Sequence, residues 1–417
     1  MVAIYAAEKL RNKYNVGLPP TYRWITIADK VSIIPREGVQ KEAKPQIVAK
    51  ETNMEKVAKR GTKEKPGQIN FEGKSCWVGV DVHKSTYAVA IIAEDGQSKV
   101  FITPAEPKKL LLQLLNMGMN IKALTYESGP CGYGLAWACQ EKGVCVLVAA
   151  SSRIPRPVTK TGKTDRLDSI KLAELLARGM LKGIAVPSRE EFALREIERT
   201  RQRLVKRRRE ARQNIRSFLL RNGIEEPAGL SSWGKAPLQA LWEMDLIEYL
   251  RISLDSYLEE HTNILLSLSE LTKHLSKAIH EQGHGDRVKN LRTIPGVGET
   301  IAHTFTSEIF RPERFKRAEA ICAYVGLAPI TSHSGSGKEK AMLYPVGQRY
   351  LRSILVESAW RLIAVEETYR DFYNRIRNKT GFSQKAITAV ARKLLVLVWR
   401  ISIEGRPYRP AVELKYL

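Results

Sequence analysis

Cysteine is scarce and unpatterned in this chain. Cys76, Cys131, Cys139, Cys145 and Cys322 form no CxxC pair and no Cys/His ligand spacing. That excludes a disulfide framework and a structural zinc site, and it points to a reducing, cytoplasmic setting. Long apolar runs are missing as well. The longest strongly apolar stretch, 394–399, is far short of the roughly 20 residues a spanning helix needs, and Arg392 and Lys393 abut it. With no signal-peptide layout or lipidation motif either, no membrane partner is expected. Aromatic residues make up only 7 % of the chain, without an RNP-like pattern, so base stacking is not a theme. Acidic side chains are outnumbered, 44 Asp+Glu against 68 Lys+Arg, a net charge of +24. Such an excess calls for a polyanionic partner, and without a membrane that partner is nucleic acid. What remains is ordinary globular material. A hydrophobic content of 43 % excludes a chain disordered throughout, and 417 residues predict two to three domains.

Residues 1–72 differ from the rest. The stretch 36–70 is dense in Lys, Glu and Gln and is expected to be a flexible basic segment. Residues 1–72 are therefore expected to be a partly disordered extension, and Met54 is an in-frame alternative start that would remove 1–53. From residue 73 the pattern becomes apolar. Strands are expected at 76–82, 87–93 and 98–103, spaced for antiparallel hairpins. A helix over 107–117, a strand at 121–127, a helix over 133–142, a strand at 144–149 and a helix over 165–179 follow. The order βββαβαβα over 73–187 is that of an RNase H-like domain, an α/β fold.

Residues 188–285 read as helix. Positions 194, 197, 201, 204, 208, 211, 215 and 218 follow alternating steps of three and four, as do 247, 250, 254, 257, 261, 264, 268, 271 and 275. This seam fits either an antiparallel hairpin packing on itself or a coiled-coil dimer interface. Residues 286–417 form a third, mostly helical domain, closed by an amphipathic helix over 383–403.

Four carboxylates stand out. Asp81 sits inside an apolar strand, where an unpaired charge is expensive. Glu127 ends the fourth strand, next to the first in this topology. Asp165 and Asp168 share one helix face at i, i+3. Two like charges 4 Å apart repel by about 4 kcal/mol at an effective dielectric near 20. Two Mg²⁺ ions would cancel the four charges and could clamp the attacking and leaving oxygens of an in-line phosphoryl transfer. The phosphate loop of actin-like sugar kinases also ends a first strand in Asp, but it needs a Gly directly afterwards. Val82, His83 and Lys84 follow here, which excludes that reading.

Three further stretches suit nucleic acid. Pro295-Gly296-Val297-Gly298 has the pattern of a helix-hairpin-helix, in which Gly296 and Gly298 let backbone N–H groups face phosphate. The run 199–212 carries eight Lys/Arg in fourteen residues. Arg201, Arg203, Lys206, Arg207, Arg208 and Arg209 are its candidate phosphate contacts, although Arg201 and Arg208 also fall on the seam. The loop Ser332-His333-Ser334-Gly335-Ser336-Gly337-Lys338 offers hydroxyls and, in Lys338, a further cation.

These residues resemble a known family. Val80-Asp81-Val82-His83-Lys84, Tyr126-Glu127-Ser128-Gly129, Thr164-Asp165-Arg166-Leu167-Asp168, Pro295-Gly296-Val297-Gly298, Tyr324-Val325-Gly326-Leu327-Ala328-Pro329, Ser334-Gly335 and Leu351-Arg352 occur in the order seen in the DEDD transposases of the insertion-sequence family 110, which include the Piv/MooV invertases. The resemblance spans 77–408. It implies a RuvC-like domain with metal-binding and catalytic carboxylates at Asp81, Glu127, Asp165 and Asp168. It also implies a C-terminal domain whose catalytic serine, next to a glycine, is Ser334, with Ser332 and Ser336 as alternatives. It further implies a covalent phosphoserine intermediate as in serine recombinases, Mg²⁺, element-end and target DNA, and a non-coding bridge RNA as guide. The coiled-coil reading of the seam adds assembly as a dimer or tetramer, and a DNA partner places the expected action at the nucleoid. The stretch Tyr344-Pro345-Val346-Gly347-Gln348 departs from the family, which usually has Lys and Asn flanking the Gly. The carboxylates alone also fit a Holliday-junction-type endonuclease without a covalent intermediate. The basic helix and hairpin alone fit a non-catalytic nucleic-acid-binding protein.

Overall fold

The computed structural model describes residues 70–155, 165–332, 340–343 and 346–410. Most of the expected N-terminal extension (1–69) and the loop 333–339, with Ser334, Ser336 and Lys338, lie outside the described residues. The described chain divides into two compact units, 70–188 and 189–410.

In the first unit, alternating apolar residues form β1 (Ser75–Val82), β2 (Thr86–Ala93) and β3 (Ser98–Pro104), an antiparallel meander. Helix α1 (Pro107–Leu115) leads to β4 (Asn120–Glu127), parallel to β1, and α2 (Gly134–Glu141) leads to β5 (Val146–Ala149), parallel to β4. The sheet order is β3-β2-β1-β4-β5, and α3 (Asp165–Ala177) follows. This five-stranded mixed sheet is compatible with an RNase H-like DEDD domain. Successive side chains of a strand point to opposite faces, and each face has its own core. Cys76, Val78 and Val80 of β1, with Leu124 and Tyr126 of β4, share a core with Leu110, Leu111 and Leu114 of α1 and Leu135 and Cys139 of α2. Trp77, Ala123 and Leu147 lie on the other face against Leu172, Leu175 and Leu176 of α3. Burying each such leucine contributes roughly 1.5–3 kcal/mol.

The second unit is almost entirely helical. It begins with two long helices, α4 (Arg189–Arg221) and α6 (Glu248–Glu281), bridged by the short α5 (Lys235–Glu243). Then come α7 (Gly285–Leu291), α8 (Glu299–Ile309), α9 (Ala318–Val325), the two-stranded hairpin of β6 (Pro329–Ser332) and β7 (Lys340–Leu343), α10 (Arg349–Val365), α11 (Glu367–Thr380) and α12 (Ser383–Glu404).

Of the two uses the seam allowed, packing within one chain is the one observed. Leu194 shares a core with Leu275 and Ile279, Ala211 with Ile264 and Leu268, and Ile215 and Phe218 with Leu254 and Leu258, so α4 and α6 run antiparallel. The periodicity places Ile247 as the first position of the second seam stretch. Ile247 instead caps α6 from outside the helix, 71 % exposed. His261 is accommodated in the seam as a buried polar position. Its Nε2 accepts from Arg212 Nε (3.2 Å), and its ring packs 5.2 Å from that of Trp233. The apolar run 394–399 belongs to α12, which is central to the C-terminal core and packs against α7, α10 and α11. Among the described residues no helix is long and apolar enough to cross a membrane.

Candidate active site

Strand geometry brings the carboxylates together. On β1 the face toward α3 carries Trp77, Gly79 and Asp81, and on β4 it carries Ala123, Thr125 and Glu127. The parallel register pairs Gly79 with Thr125 and Val80 with Tyr126, so Asp81 and Glu127 end neighbouring strands on one face. Gly79 then sets how close α3 comes. A Cβ there would lie 2.3 Å from the Ser169 carbonyl oxygen and 2.5 Å from the Ala173 amide nitrogen. Ser169 adjoins Asp168, so this backbone-to-backbone approach holds the first turn of α3, bearing Asp165 and Asp168, over the end of β1. The sequence reading did not single out Gly79. An isolated glycine in an apolar strand is the signal that marks such an approach.

Asp81, Glu127, Asp165 and Asp168 all line one pocket of about 870 Å³, shared with His83, Lys84 and Cys131. Burial pushes the Asp81 carboxyl above its ordinary range. His83 opposes that rise, while Asp165 and Asp168 add to it. His83 is a further residue of the site that sequence reasoning passed over. Its Nε2 lies 3.1 Å from Asp81 Oδ2 and 3.4 Å from Asp165 Oδ2. Among the described residues no ion pair reaches the carboxylates of Glu127 or Asp168. An oxygen-rich, acid-dominated donor set, in which Asp165 and Asp168 add to the proton affinity of Asp81, fits a hard divalent cation.

Comparison with known proteins agrees with this geometry. Residues 78–222 match the IS110 DEDD transposase family, and residues 288–374 match the transposase family IS116/IS110/IS902. The putative transposase y4qE of Sinorhizobium fredii is 29 % identical over 373 residues, which cover 82 % of this chain and 92 % of that protein. The transposase for insertion sequence element IS1111A of Coxiella burnetii is 23 % identical over 339 residues, 80 % of this chain and 91 % of its own. The transposase for IS1533 of Leptospira borgpetersenii is 27 % identical over 252 residues, 57 % and 71 % respectively. The chain is an IS110-family transposase. It belongs to a class of enzymes that cleave and rejoin DNA.

The transposase leaves only part of its basic run available to DNA. Arg201, expected at a phosphate, is 6 % exposed, with Nε and Nη2 each 2.8 Å from the fully buried Glu198. Thr304 of α8 donates to the same carboxylate (2.7 Å), so the buried Glu198–Arg201 pair ties α4 to α8, and Arg201 is not free to contact a phosphate. Arg199 is likewise held by the buried Glu308 (3.0 Å). Arg203, Lys206, Arg207 and Arg209 remain exposed. The first three reach surface carboxylates at 3.8, 3.6 and 3.4 Å, pairs that hold little energy in water. Arg208 is half-buried and lines a second pocket of about 1040 Å³ with Lys273 and Lys277.

The hairpin glycines divide in the same way. Gly296 has φ +83°, and a Cβ there would lie 2.9 Å from the Ser358 carbonyl oxygen. Ser358 Oγ donates to the Gly296 carbonyl (2.7 Å), so this glycine packs the turn onto α10. Gly298 lies exposed at the N-cap of α8 in extended conformation.

The chain flanking the Ser334 loop is also glycine-locked. A Cβ on Gly347 (φ +135°) would lie 2.6 Å from the Gly326 amide nitrogen, and one on Gly326 (φ +84°) 2.6 Å from the Val346 carbonyl oxygen. Arg352 Nη1 donates to the Gly326 carbonyl (3.2 Å). The glycine of the divergent 344–348 stretch is therefore needed for packing, whatever flanks it.

Proposed function

We propose that the transposase is a Piv/MooV-like, RuvC-type recombinase that joins strands through a phosphoserine. The convergence of Asp81, Glu127, Asp165 and Asp168 on one pocket from two strand ends and one helix turn carries this reading. These four residues would hold two Mg²⁺ ions, which supply Lewis-acid polarisation of the scissile phosphate and charge neutralisation. Gly79 sets the spacing of the carboxylates by seating α3 on β1. The hydroxyl of Ser334 is the nucleophile, with Ser332 and Ser336 as alternatives. Its oxygen bonds to phosphorus as one deoxyribose oxygen leaves and takes up a proton. A strand-end hydroxyl later attacks the phosphoserine and frees the serine. A serine hydroxyl needs such activation near neutral pH.

The net charge of +24 supports nucleic-acid partners. Following the family resemblance, we take these to be element-end and target DNA together with a bridge RNA. Arg203, Lys206, Arg207, Arg208, Arg209 and Lys338, with the exposed Gly298, are the proposed backbone contacts. The assembly is a dimer or tetramer acting at the nucleoid in the cytoplasm. Since the α4–α6 seam is filled within the chain, oligomer contacts through this hairpin would use its outer faces.

The test is strand cleavage and exchange by purified protein with element-end DNA, the flanking RNA and Mg²⁺, scored for protein covalently attached to DNA. A covalent adduct lost in both Ser334→Ala and Asp81→Ala supports the proposal. Free-ended cleavage that survives Ser334→Ala but not Asp81→Ala would favour a structure-selective nuclease. An adduct persisting in Ser334→Ala would move the nucleophile to Ser332 or Ser336.

A further inference from the structure

We infer that His83 is a nitrogen ligand of the carboxylate site, biasing it toward transition-metal ions over magnesium. The inference rests on the metal reading of the carboxylates above and deepens it.

The backbone places His83 for this role. It stands two residues beyond Asp81, just past the end of β1, and its N–H donates to the Thr86 carbonyl (3.1 Å), which fixes the β1–β2 turn. Its Nε2 then lies 3.1 Å from Asp81 Oδ2 and 3.4 Å from Asp165 Oδ2, and one donor atom from each of the three residues falls within 4.8 Å of the others. Two donors each about 2.1 Å from one ion and at right angles lie about 3.0 Å apart. The observed spacings are close to what a shared ion imposes.

Among the described residues the ring has no other structural employment. Its side chain is 48 % exposed, it belongs to neither core of the unit, and among the described residues its only polar side-chain partners are the two carboxylates. An all-carboxylate site suits magnesium. An imidazole nitrogen adds affinity along the first-row series from manganese upward, whereas magnesium gains little from it.

The test uses the full-length protein with Mn²⁺ as probe. Pulsed EPR reads nitrogen coupling to the bound ion, and calorimetry gives the ratio of Mn²⁺ to Mg²⁺ affinity. Wild type, His83→Ala, His83→Asp and Asp81→Asn are compared. His83 lies outside the core, so its removal spares the fold, and His83→Asp keeps a ligand while exchanging nitrogen for oxygen. The expected result is nitrogen coupling in wild type that disappears in both His83 variants. The Mn²⁺/Mg²⁺ ratio should also fall by at least about tenfold, the loss that even an outer-shell partner of a metal causes. A Mn²⁺ site that Asp81→Asn abolishes but that shows no nitrogen coupling in wild type would overturn the role of His83 and leave the carboxylate reading intact. Absence of Mn²⁺ binding, or binding indifferent to Asp81→Asn, would overturn both together.

Discussion

The two units of this transposase treat acidic side chains in opposite ways, half-buried or exposed in the first and buried in the second. In residues 70–188, carboxylates from β1, β4 and α3 line one pocket with a single histidine between two of them. In residues 189–410, the buried acids are matched to arginines. Glu198 accepts from both Arg201 and Thr304, Glu308 from Arg199, and Glu191 from Arg311 (2.8 Å). In the first arrangement Asp165 and Asp168 work against the charge on Asp81, and His83 is the one cation that reaches the set among the described residues, so most of its charge is left for something from outside the chain. The second is self-satisfied and ties α4 to α8 and to the chain following it. Charge that a fold leaves unmatched marks chemistry, and charge that it pairs marks architecture.

Substitution in each unit can break that contrast. Asp81→Asn should lower strand cleavage by roughly 10³-fold or more, the range of losing a principal electrostatic group. The denaturant midpoint should stay the same or rise, because the variant removes a desolvated, repelled charge.

Glu198→Ala should do the reverse and cost about 3–5 kcal/mol of stability by stranding Arg201 in a buried site. Joint replacement by Glu198→Leu and Arg201→Met should recover most of that loss in denaturant titrations.

His261 sharpens the contrast by pH. Burial, then the nearby Arg212 and Arg208, lower its pKa to about 4, against an unfolded value near 6.5. The unfolded chain binds the proton first, so stability should fall as pH drops from about 6.5 toward 4, by about 3 kcal/mol in all. A His261→Gln protein should show a flatter profile over this window.

Gly79→Val tests the link between packing and site. The clash with α3 should cost about 1–3 kcal/mol as overpacking does, and cleavage should fall with it. The smallest effects belong to the surface. Replacing Arg203, Lys206, Arg207 or Arg209 by Gln should reduce the log–log salt slope of nucleic-acid binding by about 0.9 per lost phosphate contact. Stability should be unchanged in these proteins, whereas Arg201→Gln should lower stability and leave the slope alone.

Much of the first unit was legible in sequence, because strand alternation and an acid in an apolar run are local signals. The expected strand at 76–82 is observed as Ser75–Val82, and the strand at 121–127 as Asn120–Glu127. His83 stands two residues past Asp81, just beyond the strand where that alternation ends. In the second unit, periodicity announced that one face of α4 is buried but could not say by what. Arg201 falls on that face, and its partner Thr304 is 103 residues away, so only the tertiary fold shows a structural arginine where composition showed a phosphate contact. Gly296 is similar. Its turn pattern is local, but the Ser358 contact that uses it is 62 residues distant.

The contrast is tested most directly by measuring cleavage of element-end DNA and denaturant midpoint side by side in Asp81→Asn and Glu198→Gln. The account predicts that Asp81→Asn abolishes cleavage at an unchanged or raised midpoint, and that Glu198→Gln lowers the midpoint while cleavage by the folded fraction survives. Loss of stability in Asp81→Asn, with cleavage retained by its folded fraction, would contradict it.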